Sequence, residues 1–176
     1  MDNKDQREVW QRGPISGVPA LLQPVAHALL QAAEDAAKFT AHFPADRLWE
    51  RPAGLASPGF HLLHIRGVID RLFTYARGES LSEAQRVDLV AETQTPVGEV
   101  SVGELVSAVE SQVARALDQL RRTPEAGLAE PRELGRKKIP TTVIGLLFHA
   151  AEHAQRHIGQ LLVTTRILMS DKAPGN

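Results

Sequence analysis

The sequence predicts an all-α fold, a four-helix bundle with long connections. Three observations predict it. Four long segments carry apolar residues at helical spacing, three of them open on a helix-start signal, and no stretch shows convincing strand alternation. The 176 residues suit one domain with a continuous core. Residues 1–17 are expected to be a loose N-terminal leader, residues 18–169 the bundle, and residues 170–176 a disordered tail.

The first helix is expected from about Pro24 to Thr40. Proline suits a first helical turn, where its missing N–H is not needed, and Val25, Leu29, Ala32, Ala33, Ala36 and Phe39 supply the period. Phe43 to Pro52 reads as a connection. Ser57-Pro58 pairs a capping residue with proline at the first helical position. The helix that follows is expected to reach Arg77 and stop at Gly78. Its apolar face holds Ile65, Val68, Ile69, Leu72, Phe73, Tyr75 and Ala76. Leu81 to Ala91 suits a short helix. Ser101 and Glu104 form a capping-box pattern for a third long helix, which ends at Thr123-Pro124. Residues 124 to 140 read as a polar connection. The fourth long helix is expected from Thr141 or Thr142 to Met169.

Composition excludes several functions. Lys and Arg total 20 against 21 Asp and Glu, a net charge of -1, so a nucleic-acid partner is not expected. The densest basic run, Gly135-Arg136-Lys137-Lys138, reads as a solvated loop. With no cysteine there is no disulfide, no thiolate ligand and no Cys nucleophile. No apolar run reaches the roughly 20 residues of a membrane span, and the N-terminus lacks the apolar core of a signal peptide. A cytoplasmic protein with no membrane partner is the expectation.

The chain has seven histidines, and five of them fall in two helices. His61 and His64 lie in the second helix; His149, His153 and His157 lie in the fourth. Residues three or four apart share a helix face, so such a pair can present two imidazoles to one metal ion. On a helical wheel the fourth-helix apolar cluster contains Ile144, Leu147, Phe148, Ala151, Ile158, Leu162 and Thr165. His157 falls within the wider apolar arc near Leu146, Ala150 and Leu161. His153 lies at its border and His149 beyond it, facing solvent or backing up the other two. In the second helix, His61 is close to the centre of the apolar arc and His64 is at its edge, so the wheel mildly favours His61. A hydrogen-bonded histidine network or a solvated ladder would give the same spacing. His27 and His42 stand alone and receive no role.

The stretches Ser57-Pro-Gly-Phe-His-Leu-Leu-His-Ile-Arg-Gly-Val-Ile-Asp-Arg71 and His149-Ala-Ala-Glu-His-Ala-Gln-Arg-His-Ile-Gly-Gln160 resemble the second- and last-helix motifs of the DinB-like (DinB/YfiT-like) superfamily. Trp49 to Pro52 is similar to that family as well, and the likeness follows helix order over roughly residues 18 to 168. The resemblance implies a four-helix bundle with a metal on three histidines, which map to His64, His153 and His157. His61 remains the competitor for the second-helix position. Three nitrogen ligands suit zinc, nickel or a related divalent ion, and they leave coordination positions open.

The resemblance further implies a metal-dependent enzyme, of which a thiol-dependent S-transferase is the leading form. A low-molecular-weight thiol would be the second cofactor and a small electrophile the substrate. Arg71, Tyr75, Glu152 and Gln160 are candidate polar groups near the metal. The alternatives are a metal-dependent hydrolase and a non-enzymatic metal-binding or stress-response module. The fourth helix is apolar over more than half its circumference, so either it is the central helix or part of it meets another subunit, and the resemblance implies a homodimer.

Overall fold

A computed structural model describes residues 7–94 and 100–170. Among these residues the long helices are α1 (Gln23–Thr40), α2 (Pro58–Ala76), α4 (Val102–Arg121) and α5 (Val143–Ser170), and a short α3 (Glu83–Ala91) lies between α2 and α4. Each expected long helix is present within two residues of its expected bounds. Their start signals act as read. Ser57 Oγ accepts from the Phe60 N–H at 3.2 Å, and Ser101 and Glu104 cap each other reciprocally. Gly78, at φ 79°, ends the α2 segment in the left-handed region that glycine tolerates best.

The four long helices pack around one core. α2 contacts α5 and α4, and α1 contacts the same two helices. Leu22, Leu29, Leu62, Ile65, Ile69, Leu120, Leu146, Leu147 and Leu161 are among its fully buried side chains. Small residues on α1 (Ala26, Ala32, Ala36) and α5 (Ala150, Ala154) are fully buried too, as close helix packing requires. Phe148 departs from its wheel assignment. It is 61% exposed, because the wheel's apolar cluster is wider than the face that α1 and α2 cover.

Two further differences concern the connections. The polar stretch before α5 contains an antiparallel hairpin, β1 (Pro131–Leu134) with β2 (Ile139–Thr142), in the register Leu134↔Ile139 and Pro131↔Thr142. Its turn carries positive φ at Gly135 and Lys138, and its tip, Arg136 to Lys138, is exposed. The basic run is therefore a solvated hairpin tip. The N-terminal segment, expected to be loose, is folded where it is described. Val9–Arg12 forms a 3-10 turn, Val9 is buried, and its N–H donates to Gln31 Oε1 of α1 at 2.9 Å. Residues 1–6 of that leader and 171–176 of the tail lie outside the described residues.

Gly59, in the first turn of α2, is where the connection before it presses on the bundle. A Cβ there would sit 2.4 Å from the Trp49 ring. In α4, a Cβ at Gly103 would meet nothing within 4 Å. Urea unfolding should separate the two sites. Gly59→Ala is expected to lose about 1–3 kcal/mol from overpacking. Gly103→Ala is expected to be neutral or to gain up to about 1 kcal/mol from helix propensity. Equal effects would remove the Trp49 contact as a constraint.

Candidate metal centre

The α2–α5 seam brings four imidazoles together. His64 Nε2 lies 3.0 Å from His153 Nε2, and His61 Nδ1 lies 3.0 Å from His157 Nδ1. The rings of His64 and His157 are 4.5 Å apart between centroids, and those of His153 and His157 are 4.8 Å apart. One ring nitrogen from each of His64, His153 and His157 falls within a 4.8 Å set that could hold a metal ion. All three are half-buried, so the set is reachable from solvent. Phe60 stacks on the His64 ring at 5.3 Å and 9° and covers one side of the cluster.

The wheel ranking on α5 matches the exposures. His157 and His153 are partly covered and His149 is exposed. On α2 the wheel placed His61 deeper than His64, and His61 is only 3% exposed. Depth does not bring it into the three-nitrogen set, because its Nδ1 faces His157. His149 belongs to another group, with Glu152 and His153, on a single turn of α5. There Glu152 already pairs with Arg156 and sits 3.3 Å from His149.

The electrostatics favour neutral rings. Burial, reinforced by the nearby His64, pushes His61 down to about 4. Burial and the neighbouring histidines push His157 down to about 3. His153 is lowered by burial first, then by His64 and His149. Neutral imidazole is the form that ligates a metal, so the donor chemistry fits a divalent ion. His153 Nδ1 is buried with no hydrogen-bond partner among the described residues, so its ring is incompletely satisfied by protein groups.

A carboxylate backs the cluster. Glu92, the residue that caps the end of α3, is 6% exposed. It accepts from His64 Nδ1–H at 2.9 Å and from both terminal nitrogens of Arg71, which is also buried. A carboxylate only accepts, so Nδ1 of His64 is the donor in that contact, and Nε2 is the nitrogen that faces His153. Of the candidate polar groups, Arg71 therefore reaches the cluster through Glu92. Tyr75 packs against the core, Glu152 pairs with Arg156, and Gln160 is exposed. His27 bonds the Gly13 carbonyl at 3.1 Å and His42 is exposed, both away from the cluster. Glu92 gave no sequence signal, since it meets His64 across 28 residues and from another helix.

The lowered histidines set a pH dependence. An unfolded histidine titrates near about 6.5. Between that value and the folded values of about 4 for His61 and about 3 for His157, the unfolded chain binds more protons than the folded one. Stability is therefore full above the unfolded value and is lost as pH falls through the folded ones. Thermal unfolding of metal-free protein should show Tm falling as pH drops from about 7 towards about 4. His61→Gln and His157→Gln should each flatten that dependence. Variants with the wild-type slope would show that these rings do not carry it.

The DinB superfamily model matches residues 21–161, which takes in α1 to α4, the hairpin and the part of α5 that carries all three of its histidines. No match was found among curated proteins. With well over half of the sequence matched in a helical structure of this arrangement, the chain belongs to the DinB superfamily.

Proposed function

We propose that the protein binds a divalent metal ion, zinc or nickel, through His64, His153 and His157, and that it uses the ion in an enzymatic reaction on a small molecule. The observation that carries this reading is the convergence of three ring nitrogens from α2 and α5 within 4.8 Å. The ring contacts agree with it. Glu92 engages Nδ1 of His64 and His61 engages Nδ1 of His157, so Nε2 is the nitrogen that each ring turns away from those partners. Three nitrogen ligands leave positions for an incoming molecule, and the half-exposed rings leave a way in. An ion bound there would act as a Lewis acid, lowering the pKa of a thiol or water at an open position.

The protein's own groups have defined tasks in that reading. Glu92 and His61 orient the ligand rings, and Phe60 covers one side of His64. A cleft of about 360 Å3 lies beyond Phe60 and Glu92, lined also by Trp49, Arg51, Ser57 and Gln94. It could receive a small electrophile. Thiol-dependent S-transfer, which the motif resemblance implies, is the leading form of the reaction in this proposal. One observation favours a second reading, a non-enzymatic metal-binding or stress-response module: the lining of this cleft stops at Phe60 and Glu92 and includes none of the three histidines.

A homodimer through the outer face of α5 belongs to the same proposal. Phe148, Val163 and Ile167 share one exposed stripe of that helix. No described helix is long and apolar enough to cross a membrane.

Calorimetric titration of tag-free protein with zinc and nickel tests the site. His64→Ala, His153→Ala and His157→Ala are each expected to lose more affinity than the about 10–100-fold that residues behind metal ligands control. His149→Ala is expected to bind as wild type does. Equal binding by all four variants would sink the site. The loaded protein is then assayed with low-molecular-weight thiols and small electrophiles. Thiol-dependent turnover supports the transferase, and turnover with water alone makes it a hydrolase. Metal binding with no turnover in either assay leaves the module.

A further inference from the structure

α3 is attached to the bundle in an unusual way. None of its residues, Glu83 to Ala91, is buried, and Val87, Leu89 and Val90 all point outward. No apolar face holds it down. Three polar links to α2 take that role. Gln85 donates to Asp70 and to Thr74, both at 2.8 Å, and Asp88 pairs with Arg66 at 2.6 Å. These two links are partly exposed, where such pairs contribute little. The third link is Glu92, the buried residue immediately after the helix. Its carboxylate reaches Arg71 and His64 across Gly67, where a Cβ would lie 1.8 Å from Glu92 Oε1. Only glycine leaves that passage open.

The strongest anchor of α3 is thus Glu92, which is held by Arg71 and by a hydrogen bond from His64. A carboxylate on the far nitrogen of a metal-bound imidazole fixes the ring and raises its basicity, typically controlling about 10–100-fold in metal affinity. Because binding couplings are reciprocal, whatever α3 contributes to metal affinity the metal returns to the docking of α3. From this juxtaposition we infer that α3 is a metal-coupled element: Glu92 is a positioning residue for His64, and metal binding at the histidines tightens α3 onto α2. The inference rests on the metal-site reading above.

Zinc is the probe. Zinc affinity is measured by calorimetry, and amide hydrogen exchange over residues 83–92 is followed with and without zinc. In the wild type, zinc is expected to slow exchange across α3, by up to the same about 10–100-fold that the contact contributes to affinity. Glu92→Gln is expected to lose about tenfold or more in zinc affinity, and its α3 exchange should no longer respond to zinc. Gly67→Ala should reproduce both effects with Glu92 intact, since it displaces the carboxylate while favouring the helix. A carboxylate with a purely structural role would slow α3 exchange equally with and without zinc. If wild type binds zinc while α3 exchange ignores it, or if both variants bind zinc as wild type does, the coupling is wrong and the metal site stands. If wild type does not bind zinc, the site and the coupling fall together.

Discussion

The close approach of α2 to α5 is the constraint on which the rest depends. Along this seam Leu62, Ile65 and Ile69 belong to one fully buried core with Leu147, Ala151 and Ile158. Towards the first turns of α2 the same seam carries imidazoles in place of aliphatic groups. Burying polar rings is costly unless each finds partners. His64 finds Glu92 and His153, and His61 and His157 find each other. The apolar part of the seam supplies the packing energy that holds these rings together in spite of their desolvation.

That arrangement makes the cluster a place of high local demand. Several hydrogen-bonding nitrogens compete for few protons, and the first effect of burial is to keep His61, His153 and His157 neutral. Arg71 and Glu92 add a buried ion pair whose carboxylate also serves His64. Such a pair is poorly justified by stability alone, because desolvation offsets most of the Coulombic attraction. Its position behind a candidate ligand gives it a use that packing does not.

Much of the fold was legible because helical spacing is a local property. Ser57-Pro58, Ser101 with Glu104, and Gly78 mark their helix ends through interactions within a few residues. The hairpin was not legible. Its strands are four residues each, both contain proline, and in neither do apolar and polar residue types alternate along the sequence, so pairing across the turn creates them. The cluster was partly legible for the same reason. The α5 histidines could be ranked from one helix alone, since the wheel describes the face that α5 turns inward. The second-helix candidates could not be ranked that way: the wheel scores depth, and His61 is the deeper ring, while His64 is the one set against His153. Superfamily resemblance, and not periodicity, pointed to His64. Glu92 and Gly67 were invisible, because their meeting depends on how α3 lies across α2.

The hairpin also bears on how the covalent chain is distributed. Arg136, Lys137 and Lys138 form its exposed tip, and the strand that follows runs directly into α5. A tryptic cut at that tip would divide the molecule into a large piece bearing α1 to α4 and a small piece that is essentially α5. The small piece would carry His153 and His157, and the large piece His61, His64 and Glu92. Neither fragment alone contains the cluster. Recovery of the cluster from the two would report the non-covalent fit of α5 into the groove left by α1 and α2, which makes this protein suited to fragment complementation.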